Sequence, residues 1–277
     1  MNAKSPDTID LDAYFQRIGY SANPAPSLDT LRAIHHGHTQ AIAFENLSPL
    51  LGEPVLLDLP SLQQKLILAG RGGYCFEQNL LFRAVLVALG FEVTSLAARV
   101  LWGVPEEVVT PRTHMVLMVS IDGEPYIADV GFGGLTLTTP LRLKPNLEQP
   151  TSHEPFRLIE TDQAYTLQAH INQGWTSLYR FDRQEQHLVD YDVSNWYVST
   201  HPNSLFVNSL VAARPDATCR YALRNNHFAI HHLNGSTEKY VLTTAEELRA
   251  VLENEFRLVL PKNEWLEKVL TQVVYPS

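Results

Sequence analysis

Cys75 stands where a glycine-rich turn, Arg71-Gly72-Gly73-Tyr74, gives way to an apolar helical run, Phe76-Glu77-Gln78-Asn79-Leu80-Leu81. A thiol at such a junction meets the unpaired N–H groups of a first helical turn. Their partial positive charge favours the thiolate, the form that attacks carbonyl carbon. Gly72 and Gly73 lack a Cβ, so the backbone turns sharply and a substrate can approach closely. Leu80, Leu81, Ala84, Val85 and Ala88 repeat at helical spacing, and Gly90 is placed to end the helix. The plainer alternative is a small core residue, the usual fate of a lone cysteine.

A nucleophilic cysteine needs a base, and the base needs an orienting group. Among 11 histidines, His114 has the most demanding setting, in the apolar run His114-Met-Val-Leu-Met-Val119. The next run, Pro125-Tyr-Ile-Ala-Asp129-Val130, carries an acid among equally apolar neighbours. A buried carboxylate without a partner is costly. If Asp122-Gly123 is a two-residue hairpin loop, Ile121 faces Glu124 and Val116 falls opposite Asp129. His114 and Asp129 then lie diagonally on one sheet face, roughly 7 Å apart or less between Cβ atoms. Pro125 falls in a non-hydrogen-bonded pair, where its missing N–H is not needed. The hairpin alone fits a structural His–Asp pair as well as a catalytic one, and the cysteine motif favours catalysis. The Cys75 helix terminus must then dock against the face that carries His114 and Asp129. Gly131, Gly133 and Gly134 follow this strand, where free N–H groups of a turn suit cofactor oxygens or simply make a tight bend.

The elements that must position these groups change character along the chain. Of 277 residues, 45% are hydrophobic, ample for a sizeable core. Residues 1–90 read as helical, with Leu11, Tyr14, Phe15 and Ile18 forming one apolar face closed by Gly19. Residues 91–192 alternate like an antiparallel sheet or small barrel, with turns at 122–123, 160–162 and 172–174. A short amphipathic helix around Leu205 to Ala213 serves residues 193–213 as a connector. In 214–277, strands at 218–224, 227–233 and 237–243 precede a helix capped by Thr244 and Glu247. A strand at 257–260 and a last helix follow. No apolar run approaches the length of a membrane span, and Met1–Asp10 has no apolar signal core, so a cytoplasmic location is expected. The net charge of −9 argues against nucleic acid or an anionic membrane as partner. Two cysteines, Cys75 and Cys219, make no disulfide framework, and Cys219 reads as a core residue. His36, His38, His231 and His232 lack the companions that metal-ligand spacing requires, so no metal is expected.

Taken together, Arg71-Gly-Gly-Tyr-Cys75-Phe-Glu-Gln-Asn79, Thr113-His114-Met115 and Asp129-Val-Gly-Phe-Gly133 resemble the arylamine N-acetyltransferase family. Tyr14-Phe-Gln-Arg17-Ile-Gly19, His35, His38 and Phe44-Glu45-Asn46 support the resemblance. It implies an α+β fold: an N-terminal helical bundle, an antiparallel β-barrel, and a C-terminal α/β lid around a cysteine-protease-like core. It implies a Cys75–His114–Asp129 triad that carries acetyl from acetyl-CoA to arylamines, arylhydrazines or N-arylhydroxylamines. It further implies that Arg71, Glu45 and Arg17 fix the cysteine loop, and that Phe132 offers an aromatic wall to the acceptor. A cysteine hydrolase or transglutaminase-like enzyme, a ring-closing amide synthase and an inactive binding protein are the rival readings.

Overall fold

A computed structural model describes residues 8–105 and 107–275. The polar stretch 1–7, part of the expected helical segment, lies outside the described residues.

The chain opens with α1 (Leu11–Ile18) and α2 (Leu28–Ala41), each begun by a side-chain cap, Asp10 and Ser27 respectively. Gly19 ends α1 in the left-handed region at φ +70°, as its position after the apolar face implies. A two-residue strand β1 (Phe44–Glu45) and two single turns, α3 (Leu47–Leu50) and α4 (Leu59–Leu62), follow. Next comes a π-helical turn, Gln63–Leu68, and then α5 (Cys75–Ala88).

The second region is β2 (Glu92–Val100), β3 (His114–Ile121), β4 (Glu124–Ala128), β5 (Leu141–Arg142), β6 (Phe156–Thr161), β7 (Ala164–Ile171) and β8 (Gly174–Glu185). They form one antiparallel sheet of order β5-β4-β3-β2-β8-β7-β6. The sheet curls into a nearly closed barrel. Residue Gln149 bridges the gap: its side chain bonds both backbone groups of Arg142, and its backbone exchanges hydrogen bonds with Phe156. The Asp122-Gly123 turn is the two-residue kind, with φ of +51° and +79°, and Ile121 pairs with Glu124. The register expected from the sequence is the register observed, down to Ser120 opposite Pro125. Odd and even residues of β3 then serve different cores. Met115, Leu117, Val119 and Ile121 pack with the helices, while Val116 joins Leu96, Ile127 and Phe181 inside the barrel.

The last region holds α6 (Leu188–Thr200), α7 (Leu205–Asn208), β9 (Val211–Pro215), β10 (Cys219–Arg224), β11 (His227–His232), β12 (Thr237–Val241), α8 (Ala245–Asn254) and α9 (Glu264–Val274). Two expectations fail here. The connecting helix does not reach Ala213. It stops at Asn208, because buried Asn46 donates to the carbonyls of Phe206 and Ser209 and accepts from the Val211 amide. That side chain takes over backbone groups a continuing helix would use, and the chain leaves extended as β9. Residues 257–260 form no strand. Arg257 sits at φ +57°, and Leu258 and Leu260 instead fill the core beneath α8 and α9.

Strand β1 pairs with β9, so the five-stranded lid sheet runs β1-β9-β10-β11-β12 and includes a strand from the helical region. The same β1 residue Phe44 bridges Gly73 beside the cysteine. Asn46 is therefore the pin of this junction. Asn46→Ala takes the partner from three partly buried backbone groups, and we expect a loss of about 2–4 kcal/mol in urea unfolding. A loss below about 0.5 kcal/mol contradicts this account.

Candidate functional site

Cys75 is the first residue of α5, at the end of the helix that carries partial positive charge. It is only 4% exposed, and its thiol donates to the Thr113 carbonyl at 3.5 Å. Two glycines make this placement possible. A Cβ at Gly72 would lie 2.1 Å from the Ala43 carbonyl oxygen, and one at Gly73 2.7 Å from a Glu77 oxygen. The loop passes too close to its neighbours for any side chain there.

His114 opens β3, and its Nε2 donates to Asp129 Oδ2 at 2.8 Å, both residues buried. The Cys75 sulfur lies beside this ring, close enough to add to the rise of its pKa. The helix terminus meets His114, while the body of the helix does not lie on the sheet face that carries it. Helix α5 packs on the opposite face, against Met115, Leu117 and Val119. The thiol meets the imidazole at the end of β3, where His114 is the terminal residue.

The Asp129 carboxylate collects two further donors on Oδ1, from Asn79 Nδ2 at 3.0 Å and the Gly131 amide at 2.9 Å. Burial pushes this acid upward, but the His114 charge and these hydrogen bonds outweigh it and hold it below the usual carboxylate range. For His114, burial pushes down, while the Asp129 charge, its hydrogen bond and the Cys75 sulfur push up more strongly. The imidazole is raised to about 10. His114 thus adds stability that is complete below its ordinary value of roughly 6.5 and is lost as pH climbs through about 10. Asp129 adds stability that is complete above its ordinary range and is lost as acid titrates the folded carboxylate. The pair is charged together through neutral pH.

A second layer holds this pair. Asn79, one turn after Cys75 on α5, also donates to the Met115 carbonyl and accepts from the Val130 amide, so one side chain ties the helix to both strands. The Asp129 amide donates to His35 Nε2 at 3.3 Å. Burial lowers His35 to about 3, so it is neutral, its proton is on Nδ1, and that atom has no partner among the described residues. Burial lowers His38 to about 4. It accepts from Tyr14 at Nδ1 (2.9 Å), donates from Nε2 to Gln78 (2.7 Å), and Gln78 donates to the carbonyls of Ala43 and Gly73. Tyr179 lies 4.9 Å ring to ring from His114, and its buried hydroxyl feels the Asp129 charge, which with burial keeps it protonated.

The remaining residues named from the sequence divide. Phe132 packs edge-on to His114, 5.1 Å between centroids, and against Tyr179 at 5.0 Å. Gly131 is buried, and its amide is committed to Asp129. A Cβ there would meet Cys75 Cα at 2.8 Å. Gly133 is at φ +82°, and Gly134 is exposed with open space where a side chain would stand. Arg71 grips one Glu45 oxygen with Nε (3.1 Å) and an Nη (2.9 Å), while the other accepts from the Leu47 amide. Arg17 does not join them. Its Nε donates to the Leu66 carbonyl of the π-helical turn at 3.1 Å. Its expected place in the charge cluster belongs to Lys65 and Glu77, which the sequence reading did not single out. Asn79, Gln78 and Glu77 stood within the cysteine motif, and their spacing along one helix turn was the signal that could have found them.

A buried thiol at a helix start, beside an imidazolium that an ionised carboxylate holds, is an arrangement for nucleophilic acyl transfer. The comparisons agree with that class. A family model described as N-acetyltransferase matches residues 27–265. The arylamine N-acetyltransferase of Mycobacterium tuberculosis is 44% identical over 252 residues, 90% of this chain and 89% of the relative. An arylamine N-acetyltransferase / N-hydroxyarylamine O-acetyltransferase of Salmonella typhimurium is 39% identical, covering 91% of this chain and 89% of its own length. The structure of Mycobacterium marinum arylamine N-acetyltransferase in complex with CoA superposes with a TM-score of 0.92 at 41% identity, covering 96% of this chain and all of the other. The chain belongs to the arylamine N-acetyltransferase family, and it is an acyltransferase.

Gly131 provides a local check. Gly131→Ala forces apart the Asp129 loop and the Cys75 backbone, and we expect at least a tenfold loss of acyl-transfer rate together with a lowered thermal midpoint, from an overpacking cost of about 1–3 kcal/mol. A rate within twofold of the parent would show that the loop tolerates the added Cβ.

Proposed function

We propose that the protein moves an acetyl group from acetyl-CoA, through acetyl-Cys75, to an arylamine, arylhydrazine or N-arylhydroxylamine. The observation that carries this reading is the buried His114–Asp129 hydrogen bond beside the Cys75 sulfur, with both His114 and Asp129 held in their charged forms. The names of the relatives supply the acetyl group, the arylamine and N-hydroxyarylamine acceptors and the CoA ligand, and the arylhydrazine rests on the family resemblance.

Cys75 attacks the thioester carbonyl as a thiolate, and the bond from that carbon to the CoA sulfur breaks. His114 gives its proton to the departing sulfur and becomes neutral. The amine then attacks the acetyl carbon, His114 takes the amine proton, and the Cys75 sulfur leaves as thiolate beside a renewed imidazolium. Proton and electron pair return to where they began. The Cys75 amide is a natural donor to the oxyanion of both tetrahedral intermediates.

One consequence follows from the causes of the His114 shift. Part of its basicity comes from the Cys75 sulfur, through a hydrogen bond and a charge that acetylation removes. The imidazole is therefore a stronger acid-holding group before acetylation and a weaker one after. Acetylation removes the smaller upward causes and leaves those of Asp129, so the ring gives up its proton more readily in the second step than in the first.

Phe132 forms the wall for the acceptor ring, and Gly133 with Gly134 are the turn left to face the cofactor, since the Gly131 amide is already engaged. Arg71 and Glu45 hold the cysteine loop from behind. Two free thiols suit a reducing compartment, which supports a cytoplasmic location.

Intact mass after incubation with acetyl-CoA alone tests the reading. We expect a gain of one acetyl group, located at Cys75 and absent in Cys75→Ala, that disappears when an arylamine is added. No adduct at saturating acetyl-CoA overturns the proposal. In stopped-flow, acetylation should hold its rate towards alkaline pH, while release to the amine should require His114 neutral and fall as pH drops. Coincident profiles for the two half-reactions contradict the proposed change in His114.

A further inference from the structure

The first turn of α5 contains a contradiction. Glu77, two residues past the nucleophile, is 1% exposed, and one of its oxygens accepts the Tyr74 amide at 3.1 Å, capping the helix. A carboxylate there satisfies an orphan donor, but it places a negative charge in the same turn as a sulfur that must itself become negative. The other Glu77 oxygen lies 2.6 Å from Lys65 Nζ. Lys65 reaches it from the π-helical turn Gln63–Leu68, an irregularity of the kind that concentrates at functional sites. The turn also supplies the Lys65 carbonyl to the Arg71 amide at 3.1 Å.

We propose that Lys65 is a positioning residue for the acyl-transfer reaction, supplying the counter-charge that lets Glu77 cap the Cys75 helix without opposing the Cys75 thiolate. The proposal rests on the reading of Cys75 as the nucleophile. The charges facing the two groups are few. Glu77 feels Lys65, Glu45 and Arg71, and beside it stands the neutral Tyr74. Cys75 faces His114, with Asp129 behind it, and the neutral phenols of Tyr74 and Tyr191. The side-chain hydrogen bonds of Arg71 go to Glu45, and Lys65 is the cation bonded to Glu77. Burial raises Glu77 above the usual carboxylate range despite Lys65, which fits a carboxylate that depends on its partner.

The test is the pH profile of Cys75 alkylation by iodoacetamide in the full-length enzyme, read by intact mass. In the parent, alkylation should stay fast well below pH 8. Lys65→Gln should move the profile up by about one pH unit and slow acetylation severalfold at neutral pH. Glu77→Gln keeps an oxygen for the Tyr74 amide and leaves Lys65 in place, so its profile should move down. The double variant should return close to the parent. If Lys65→Gln fails to fold, Glu77→Gln alone decides: an unmoved or upward profile overturns the proposal. A Lys65→Gln profile that matches the parent in a folded protein overturns it as well. A parent that alkylates only as a free thiol overturns both this proposal and the ion-pair reading. Loss of low-pH alkylation in His114→Asn, with the Lys65 and Glu77 variants unmoved, removes this proposal alone.

Discussion

The structure turns on one buried carboxylate. Asp129 has no access to water, so its charge must be met by protein, and each donor that meets it comes from a different part of the chain. His114 answers from β3, Asn79 from α5 and Gly131 from the turn after β4, while His35 on α2 receives the Asp129 amide. Satisfying this one group fixes the helical region against the barrel and leaves His114 charged. An apolar replacement would remove the desolvation cost, but also the cation that faces Cys75. The site is thus a place where the fold keeps an expensive group because chemistry requires it.

A second set of buried charges has the same logic one layer away. Glu45 with Arg71, and Glu77 with Lys65, pin the loop before Cys75. Glu45 belongs to β1, which also pairs with β9 of the lid sheet. The loop that aims the sulfur is therefore coupled to all three hydrophobic cores: Cys75 lies in the helical core, His114 packs on barrel aromatics, and β1 enters the lid sheet. Gly72 and Gly131 allow the close approach, since a Cβ at either would strike backbone atoms.

Much of this was legible because the signals were local. Asp122-Gly123 specifies a type of turn, the turn specifies register, and register puts His114 and Asp129 together. The cysteine loop is likewise written in adjacent residues. What escaped were contacts whose reason lies far along the chain. His35 and His38 look like helix-face histidines until Asp129 and Gln78, 94 and 40 residues away, are folded against them. Asn46 terminates a helix some 160 residues later. Arg17 and Lys65 are both basic residues near the loop, and only the π-helical turn decides that Lys65 enters the cluster while Arg17 takes a carbonyl. The face on which the body of α5 packs is likewise not written in the cysteine motif, which speaks only for the helix terminus. A terminal histidine can be reached around the end of a strand.

The central claim is that Asp129 keeps His114 cationic in the resting enzyme and that acetylation of Cys75 weakens its hold on the proton. Nitrogen-15 NMR of a histidine-labelled enzyme reads this directly. The account predicts that His114 in the free enzyme remains an imidazolium through neutral pH and titrates near the value of about 10. In the acetyl-enzyme, formed without acceptor, its midpoint must fall. A free-enzyme midpoint near the ordinary value of roughly 6.5, or one that acetylation leaves unmoved, contradicts the account.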